Sequence, residues 1–268
     1  MTPPGPSIPR LLIIAGSDSS AGAGIQADLK TAFAFGVYAQ TAITAVTVQN
    51  TLGVTGAHVV PPDVVRDQII ACLSDIGADA IKTGMLGSAA MVKMVADTLA
   101  EHAADIPLVV DPVMVAKGGA PLIGEDAIAA LKERLLPLAT LITPNLPEAR
   151  ALTGADPSAE DGLEAALAAF ARMGCRDILF KGGHAQGPVV EDVLGNTQTG
   201  ALLRFSAPRQ DTRHTHGTGC TLAAAIACGL AESLSLVEAV GRAHRYVQRA
   251  IAAAPGLGRG HGPLGHKV

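Results

Sequence analysis

Short aliphatic runs alternate with longer stretches of helical periodicity along most of this chain, and few architectures accommodate that order. Residues 11–15, 41–48, 80–82, 108–110, 140–142 and 177–181 read as strands. Several are apolar at consecutive positions, the mark of strands covered on both faces. Between them, residues 21–35, 62–74, 88–102, 125–135 and 161–173 read as helices. Val65, Ile69 and Leu73 form one helical stripe; Leu163, Leu167 and Phe170 form another. The alternation predicts an α/β fold with a mostly parallel central sheet and helices on both faces. Residues 189–194 and 201–205 flank Gly195-Asn196 and predict a small antiparallel strand pair. Helices at about 219–231 and 235–252 close the pattern. Residues 1–9 are Pro-rich and expected to be disordered, and residues 10–268 read as one domain, with low complexity only from Pro255 onward.

A chain of 268 residues that is 49% hydrophobic can cover both faces of such a sheet. A net charge of −4 argues against nucleic acid or an anionic membrane as the partner. Trp is absent, so no stacking platform for single strands is evident. Cysteines 72, 175, 220 and 228 form no C-x-x-C pair, which argues against a disulfide framework or a structural zinc and fits a reducing, cytoplasmic setting. The apolar runs at 11–15 and after Cys220 are too short to span a bilayer.

The segment His214-Thr215-His216-Gly217-Thr218-Gly219-Cys220-Thr221 leads straight into a helix of small apolar residues. Glycines let backbone N–H groups converge, and a helix start adds unpaired donors and a positive dipole end. Gly217, Thr218, Gly219 and Cys220 are therefore expected to form an anion nest suited to phosphate. Cys220 lies in the first turn, where the same dipole is expected to lower its thiol pKa.

In α/β sheets, ligands bind beyond the carboxyl ends of the strands. Ser17-Asp18, Gln49-Asn50, Thr83-Gly84-Met85, Asp111-Pro112, Asn145 and Lys181-Gly182-Gly183-His184 fall there. Gly22-Ala23-Gly24-Ile25-Gln26-Ala27 matches a dinucleotide fingerprint. The loop before it is long, however, and Gln49 stands where a ribose-binding acid is expected, so a dinucleotide reading is set aside. His184, His214 and His216 lack the spacing of a zinc set. His244 lies on an apolar side with Val240 and Val247.

Several segments together resemble the hydroxymethylpyrimidine/phosphomethylpyrimidine kinases of thiamine biosynthesis. They are the stretch 15–28 (AGSDSSAGAGIQAD), Thr47-Val48-Gln49-Asn50-Thr51, Lys82-Thr83-Gly84-Met85-Leu86 and the stretch 111–117 (DPVMVAK). Residues 143–149 (TPNLPEA), Lys181-Gly182-Gly183-His184, the Cys220 segment and Gly260-His261-Gly262-Pro263-Leu264 follow in the family's order. The resemblance runs from Arg10 almost to the end. It implies a ribokinase-like fold, ATP with Mg²⁺, two successive phosphorylations of one aminopyrimidine, and a homodimer.

The resemblance also implies roles. Cys220 stands where sugar kinases of this fold place an Asp, so a thiolate would take the hydroxyl proton, and the Gly217–Cys220 amides would stabilise the transferred phosphoryl group. A carboxamide matches the ring-nitrogen and amine edge of an aminopyrimidine, and Gln49 takes that role. Met85 is read as a soft wall for the ring, with Gly16 beside the pyrimidine. Asp28 could reach the pyrimidine from the first helix or be an exposed helix carboxylate. Asn145 and Glu148 resemble an Asn-x-x-Glu pair acting around Mg²⁺ and phosphate, and Asp111 could share the metal. Lys181 and Lys117 are read as nucleotide contacts, Lys117 on a flap. Two alternatives remain: a pyridoxal-type vitamin kinase on the same fold, or a pyrimidine-binding sensor without catalysis.

Overall fold

The computed structural model describes residues 8–115, 119, 122–184 and 187–268. Residues 1–7 and Lys117 lie outside the described residues. The elements run β1 (Arg10–Asp18), α1 (Gly24–Ala34), β2 (Tyr38–Asn50), β3 (Gly53–Val59), α2 (Pro62–Asp75), β4 (Ala80–Thr83), α3 (Ala89–His102), β5 (Leu108–Val110) and α4 (Glu125–Ala130). They continue with β6 (Leu141–Ile142), α5 (Leu146–Thr153), α6 (Gly162–Arg172), β7 (Asp177–Phe180), β8 (Val189–Asn196), β9 (Leu202–Pro208), α7 (Thr218–Ala231) and α8 (Leu236–Ala252). The helix expected at 125–135 is present, with its second half a π-helical turn, Leu131–Leu135.

One sheet has the order β3-β2-β1-β4-β5-β6-β7-β8-β9. The block from β2 to β7 is parallel. The predicted pair appears as β8 and β9, antiparallel to each other, with β8 antiparallel to β7. At the other edge β3 runs antiparallel to β2, an addition the sequence reading lacked. Strand order reverses at β1, which leaves a crevice at the carboxyl ends of β1 and β4.

The two-residue period of β1 sorts its side chains. Leu12 and Ile14 enter the core under α2, α3 and α6; Leu11, Ile13 and Ala15 enter the core under α1, α7 and α8. All five are essentially unexposed. The same period in β4 sends Ile81 to the first core and Ala80 to the second. Lys82, two residues after Ala80, thus points towards α1 and α7 and needs a counter-charge there. Small residues let α7 approach its neighbours closely: a Cβ on Gly229 would lie 2.7 Å from the Ala239 Cβ on α8.

The Gly/His-rich end, low in complexity by composition, is tied to the body. Its backbone pairs with several parts of the body, including His261 N–H to Thr51 O at 2.8 Å and Gly265 N–H to Ala250 O at 2.9 Å. Tyr246 donates its hydroxyl to His266 O, and Leu264 is buried.

Phe170 on α6 is fully buried and meets Phe180 edge-on, with ring centroids 6.0 Å apart. Truncating such a ring leaves a cavity that a sheet-backed core cannot close. Phe170→Ala is expected to lower unfolding free energy by about 3–5 kcal/mol in urea denaturation. A loss below about 1 kcal/mol would mean that this face is loosely packed.

Candidate active site

A cleft of about 1200 Å³ opens where the parallel strands end and α7 begins. Of the residues singled out from sequence, Gly16, Gln49, Met85, Asp111, Asn145, Glu148, Lys181, Gly217, Thr218, Gly219 and Cys220 line it. Lys117 is outside the described residues.

The start of α7 leaves donors open. Its N-cap, Gly217, has φ +83° and no side chain to cap the first turn. By contrast, α5 and α8 are closed by capping boxes, Asn145 with Glu148 and Ser235 with Glu238. Only glycine fits at 217: its φ is left-handed, and a Cβ there would lie 1.8 Å from Gly22 O. The nest is therefore pressed against the turn that opens α1. A Cβ on Gly219 would meet only the Lys181 Nζ, at 3.2 Å, and Asp111 Oδ2, at 3.7 Å. The open amides and these two charged groups share one corner of the cleft.

Lys181 Nζ donates to Asp111 Oδ1 at 2.7 Å and lies 3.8 Å from Glu148 Oε2. Thr143 Oγ1 donates to the same Asp111 oxygen at 3.2 Å. Although burial alone would discharge Lys181, Asp111 and Glu148 raise its pKa. Burial raises Glu148, against the pull of Lys181. Glu148 is 6% exposed, so it is a buried capping residue and not a loose rim carboxylate. The donor set of Asp111 and Glu148 is hard oxygen, which suits a divalent cation that keeps most of its waters and shares phosphate oxygens. Among the described residues no group of three acidic, His or Cys side chains forms a cage for a metal.

Asp28 does not line the cleft and is not exposed. It is fully buried behind Lys82, whose Nζ donates to Asp28 Oδ2 at 2.7 Å. The other oxygen, Oδ1, has no hydrogen-bond partner. Desolvation raises Asp28 to about 6, although Lys82 opposes it. Lys82, which the sequence reading passed over, is the member of this pair that reaches the cleft.

The expected thiolate at Cys220 is corrected by the structure. Burial pushes the thiol up to about 11, more than the nearby Lys82 ammonium and the Gly24 N–H at the sulfur bring it down. The resting group is a thiol. The helix start was visible in the sequence, but the depth of the site was not.

Gln49 lies near the end of β2 and Met85 just after β4, the strands on either side of β1, and both line the cleft. Gly16 makes room for Met85: a Cβ there would lie 2.5 Å from Met85 Cε. The Gln49 amide lies 3.2 Å from Thr47 Oγ1 and 3.2 Å from His216 Nε2. Asp18, placed at the end of β1 by the sequence, and His216, considered there only as a metal ligand, also line the cleft, and both are buried. His244 is buried as expected, although it also sits 4.0 Å from Asp192.

Comparison with known proteins gives the family. Residues 18–265 match the family described as phosphomethylpyrimidine kinase. The chain is 52% identical over 256 residues to the thiamine biosynthesis bifunctional protein ThiED of Geobacter sulfurreducens, covering 96% of this chain and 52% of that protein, so it spans about half of that relative. It is 50% identical to the hydroxymethylpyrimidine/phosphomethylpyrimidine kinase of Streptomyces coelicolor, covering 99% of this chain and 98% of the other. The solved pyridoxal kinase from Staphylococcus aureus in complex with ADP superposes with a TM-score of 0.89 at 35% identity, covering 98% of this chain and 94% of that one.

The two nest glycines differ in what surrounds them, and their substitution separates packing from chemistry. Gly217→Ala is expected to destabilise the fold by more than about 2 kcal/mol, from the left-handed backbone and the clash with Gly22. Gly219→Ala should stay within about 1 kcal/mol, because the Lys181 head group can move. Chemical denaturation of both variants checks this; equal losses would contradict the asymmetry.

Proposed function

The chain belongs to the phosphomethylpyrimidine kinase family, and on that premise we propose that it uses ATP to phosphorylate 4-amino-5-hydroxymethyl-2-methylpyrimidine and then the monophosphate so formed, giving the diphosphate used in thiamine diphosphate synthesis. The observation that carries the reading is the uncapped nest at Gly217–Cys220, set between a phosphate-side corner and a flat acceptor crevice.

The acceptor ring lies against Met85, with Gly16 beside it and its amine and ring nitrogen on Gln49. Its hydroxymethyl oxygen attacks the γ-phosphorus of ATP as the bond to the bridging oxygen of ADP breaks, and the hydroxyl proton passes to the thiolate form of Cys220. Charge on the three transferred oxygens falls to the Gly217, Gly219 and Cys220 amides; the Thr218 N–H, expected among them, is donated to Thr215 O at 3.3 Å. Lys181 and Asn145 serve the nucleotide phosphates, and Lys117 is the remaining candidate there. Asp111 and Glu148 would hold Mg²⁺, which would neutralise phosphate charge when bound. Asp28 acts through Lys82, whose ammonium faces the sulfur side of the site.

The reading extends to setting and assembly. Four unpaired cysteines fit a cytoplasmic location. Among the described residues, no helix is long and apolar enough to cross a membrane. Val46, Val48 and Val59 stand exposed on the β2–β3 hairpin and support pairing with a second copy. A pyridoxal-type activity is the second reading, favoured by the likeness to the Staphylococcus aureus enzyme.

ATP turnover with hydroxymethylpyrimidine, its monophosphate and pyridoxal as separate acceptors tests both readings. The first predicts turnover of the two pyrimidines and little of pyridoxal; pyridoxal as the preferred acceptor would replace it with the second.

The two steps differ in their need for a base. An alcohol holds its proton at neutral pH, whereas a phosphate monoester is already doubly ionised above its second pKa of about 6. With the thiol at about 11, the fraction of thiolate grows roughly tenfold per pH unit below that value. The first step is therefore expected to accelerate between pH 7 and 9, while the second stays flat. Cys220→Ser should cost the first step ~10²–10⁴-fold and remove its pH slope, with a far smaller effect on the second. Separate rate–pH profiles for each acceptor check this; superimposable profiles would remove Cys220 from the role of base.

A further inference from the structure

Phosphoryl transfer as derived above makes no use of His216, yet this ring is buried and sits one residue before the nest. Its Nε2 lies 2.8 Å from Asp18 Oδ2 and 3.2 Å from the Gln49 amide. It has one place to be. A Cβ on Gly22 would come within 2.3 Å of the ring, and the His216 N–H is held by Gly262 O at 3.1 Å.

Asp18 is an anion. Burial works against its charge, but His216, the Ser20 hydroxyl and the Ser20 and Ala23 N–H groups outweigh it and hold the carboxyl at about 2. Ser20 N–H and hydroxyl serve Oδ1, and Gly22 and Ala23 N–H serve Oδ2. A carboxylate only accepts, so the His216 nitrogen facing it carries a hydrogen, whether the ring is neutral or protonated. That nitrogen cannot also accept from an amide NH₂.

The two ends of a carboxamide have the same shape, and their partners decide which is oxygen. Gln49 Nε2 stands 3.2 Å from His216 Nε2, and Gln49 Oε1 stands 3.2 Å from Thr47 Oγ1. Turning the amide over brings its oxygen to the His216 N–H, whose one hydrogen is then shared between Asp18 Oδ2 and that oxygen. The NH₂ then points to Thr47 Oγ1, whose own hydrogen goes to Ser17 O at 2.9 Å. Only this orientation avoids setting the amide NH₂ against the His216 N–H.

We propose that His216 is a positioning residue for acceptor selectivity: its Nε2–H, anchored on Asp18, locks the orientation of the Gln49 amide and with it the order of donor and acceptor offered to the ring. This rests on the reading of Gln49 as the group that meets the aminopyrimidine edge. The locked amide keeps one N–H for a ring nitrogen and one oxygen lone pair for an exocyclic amine. A free amide would present the reversed order as readily, and an acceptor without that amine would lose little from the reversal.

The test is steady-state kinetics of the whole enzyme with His216→Leu, His216→Gln, Gln49→Leu and the double variant His216→Leu/Gln49→Leu. His216→Leu is expected to raise KM for hydroxymethylpyrimidine about 10-fold, the worth of one matched hydrogen bond, with kcat and the KM for ATP within about twofold. His216→Gln, which keeps an N–H for Asp18, should recover most of that loss. In the Gln49→Leu background, His216→Leu should add nothing. Additive losses, an equal rise in the KM for ATP, or failure of His216→Gln to rescue would overturn the proposal. Gln49→Leu with unchanged acceptor KM would overturn the reading of Gln49 itself; a loss in Gln49→Leu with none in His216→Leu would overturn only the role of His216. Proton-detected ¹⁵N spectra of the parent protein supply a measurement independent of variant folding: a hydrogen on His216 Nε2 supports the proposal, and a ring protonated only at Nδ1 overturns it.

Discussion

The contact between Gly217 and the carbonyl of Gly22 is the constraint on which the site depends. A Cβ at 217 would lie 1.8 Å from that oxygen. The approach joins the turn after β1 to the start of α7, segments from opposite ends of the chain. It places the open amides of α7 beside the acceptor crevice, because the same turn closes on Asp18, to whose Oδ2 the Gly22 and Ala23 N–H groups donate. The tail completes the clamp through the backbone at His216. Backbone–backbone proximity of this kind tolerates no side chain and leaves little freedom for the donors to rearrange.

Charge is then distributed over a buried floor. Lys82 with Asp28, and Lys181 with Asp111 and Glu148, place two ammonium groups and three carboxyls below the cleft. Pairs of this sort rarely add net stability, because desolvation offsets their attraction. Their value here is position: fixed charges in a low-dielectric cleft act on a transferring phosphoryl group without reorganising. The same burial keeps Cys220 a thiol at rest. The site thus favours charge that arrives with the nucleotide over charge stored on the sulfur.

Much of the fold was legible in the sequence because parallel strands covered on both faces leave continuous apolar runs, as in β1 and β5. β3 escaped because its residues are mostly exposed on both sides and carry no period of two. α5 escaped because it is only eight residues long. Its signals were present all the same: Asn145 and Glu148 at capping-box spacing, and Gly154 at the left-handed C-cap. The nest was legible because glycines and a helix start carry their own physics. Burial and long-range pairing were not: nothing local to Asp28 announces Lys82, and nothing near His216 announces Asp18. The error over the Cys220 thiol has the same origin, since a helix dipole can be read from sequence and depth cannot.

The central claim is that the uncapped first turn of α7 is where the phosphoryl group is transferred. A crystal structure of the protein with ADP, Mg²⁺, aluminium fluoride and hydroxymethylpyrimidine would test it most directly. The account predicts the fluoride group within about 3 Å of the Gly219 and Cys220 amides, in hydrogen-bond range, and between ADP and the acceptor hydroxymethyl, with the ring against Gln49. A fluoride group held elsewhere in the cleft, with those amides facing solvent, would contradict it.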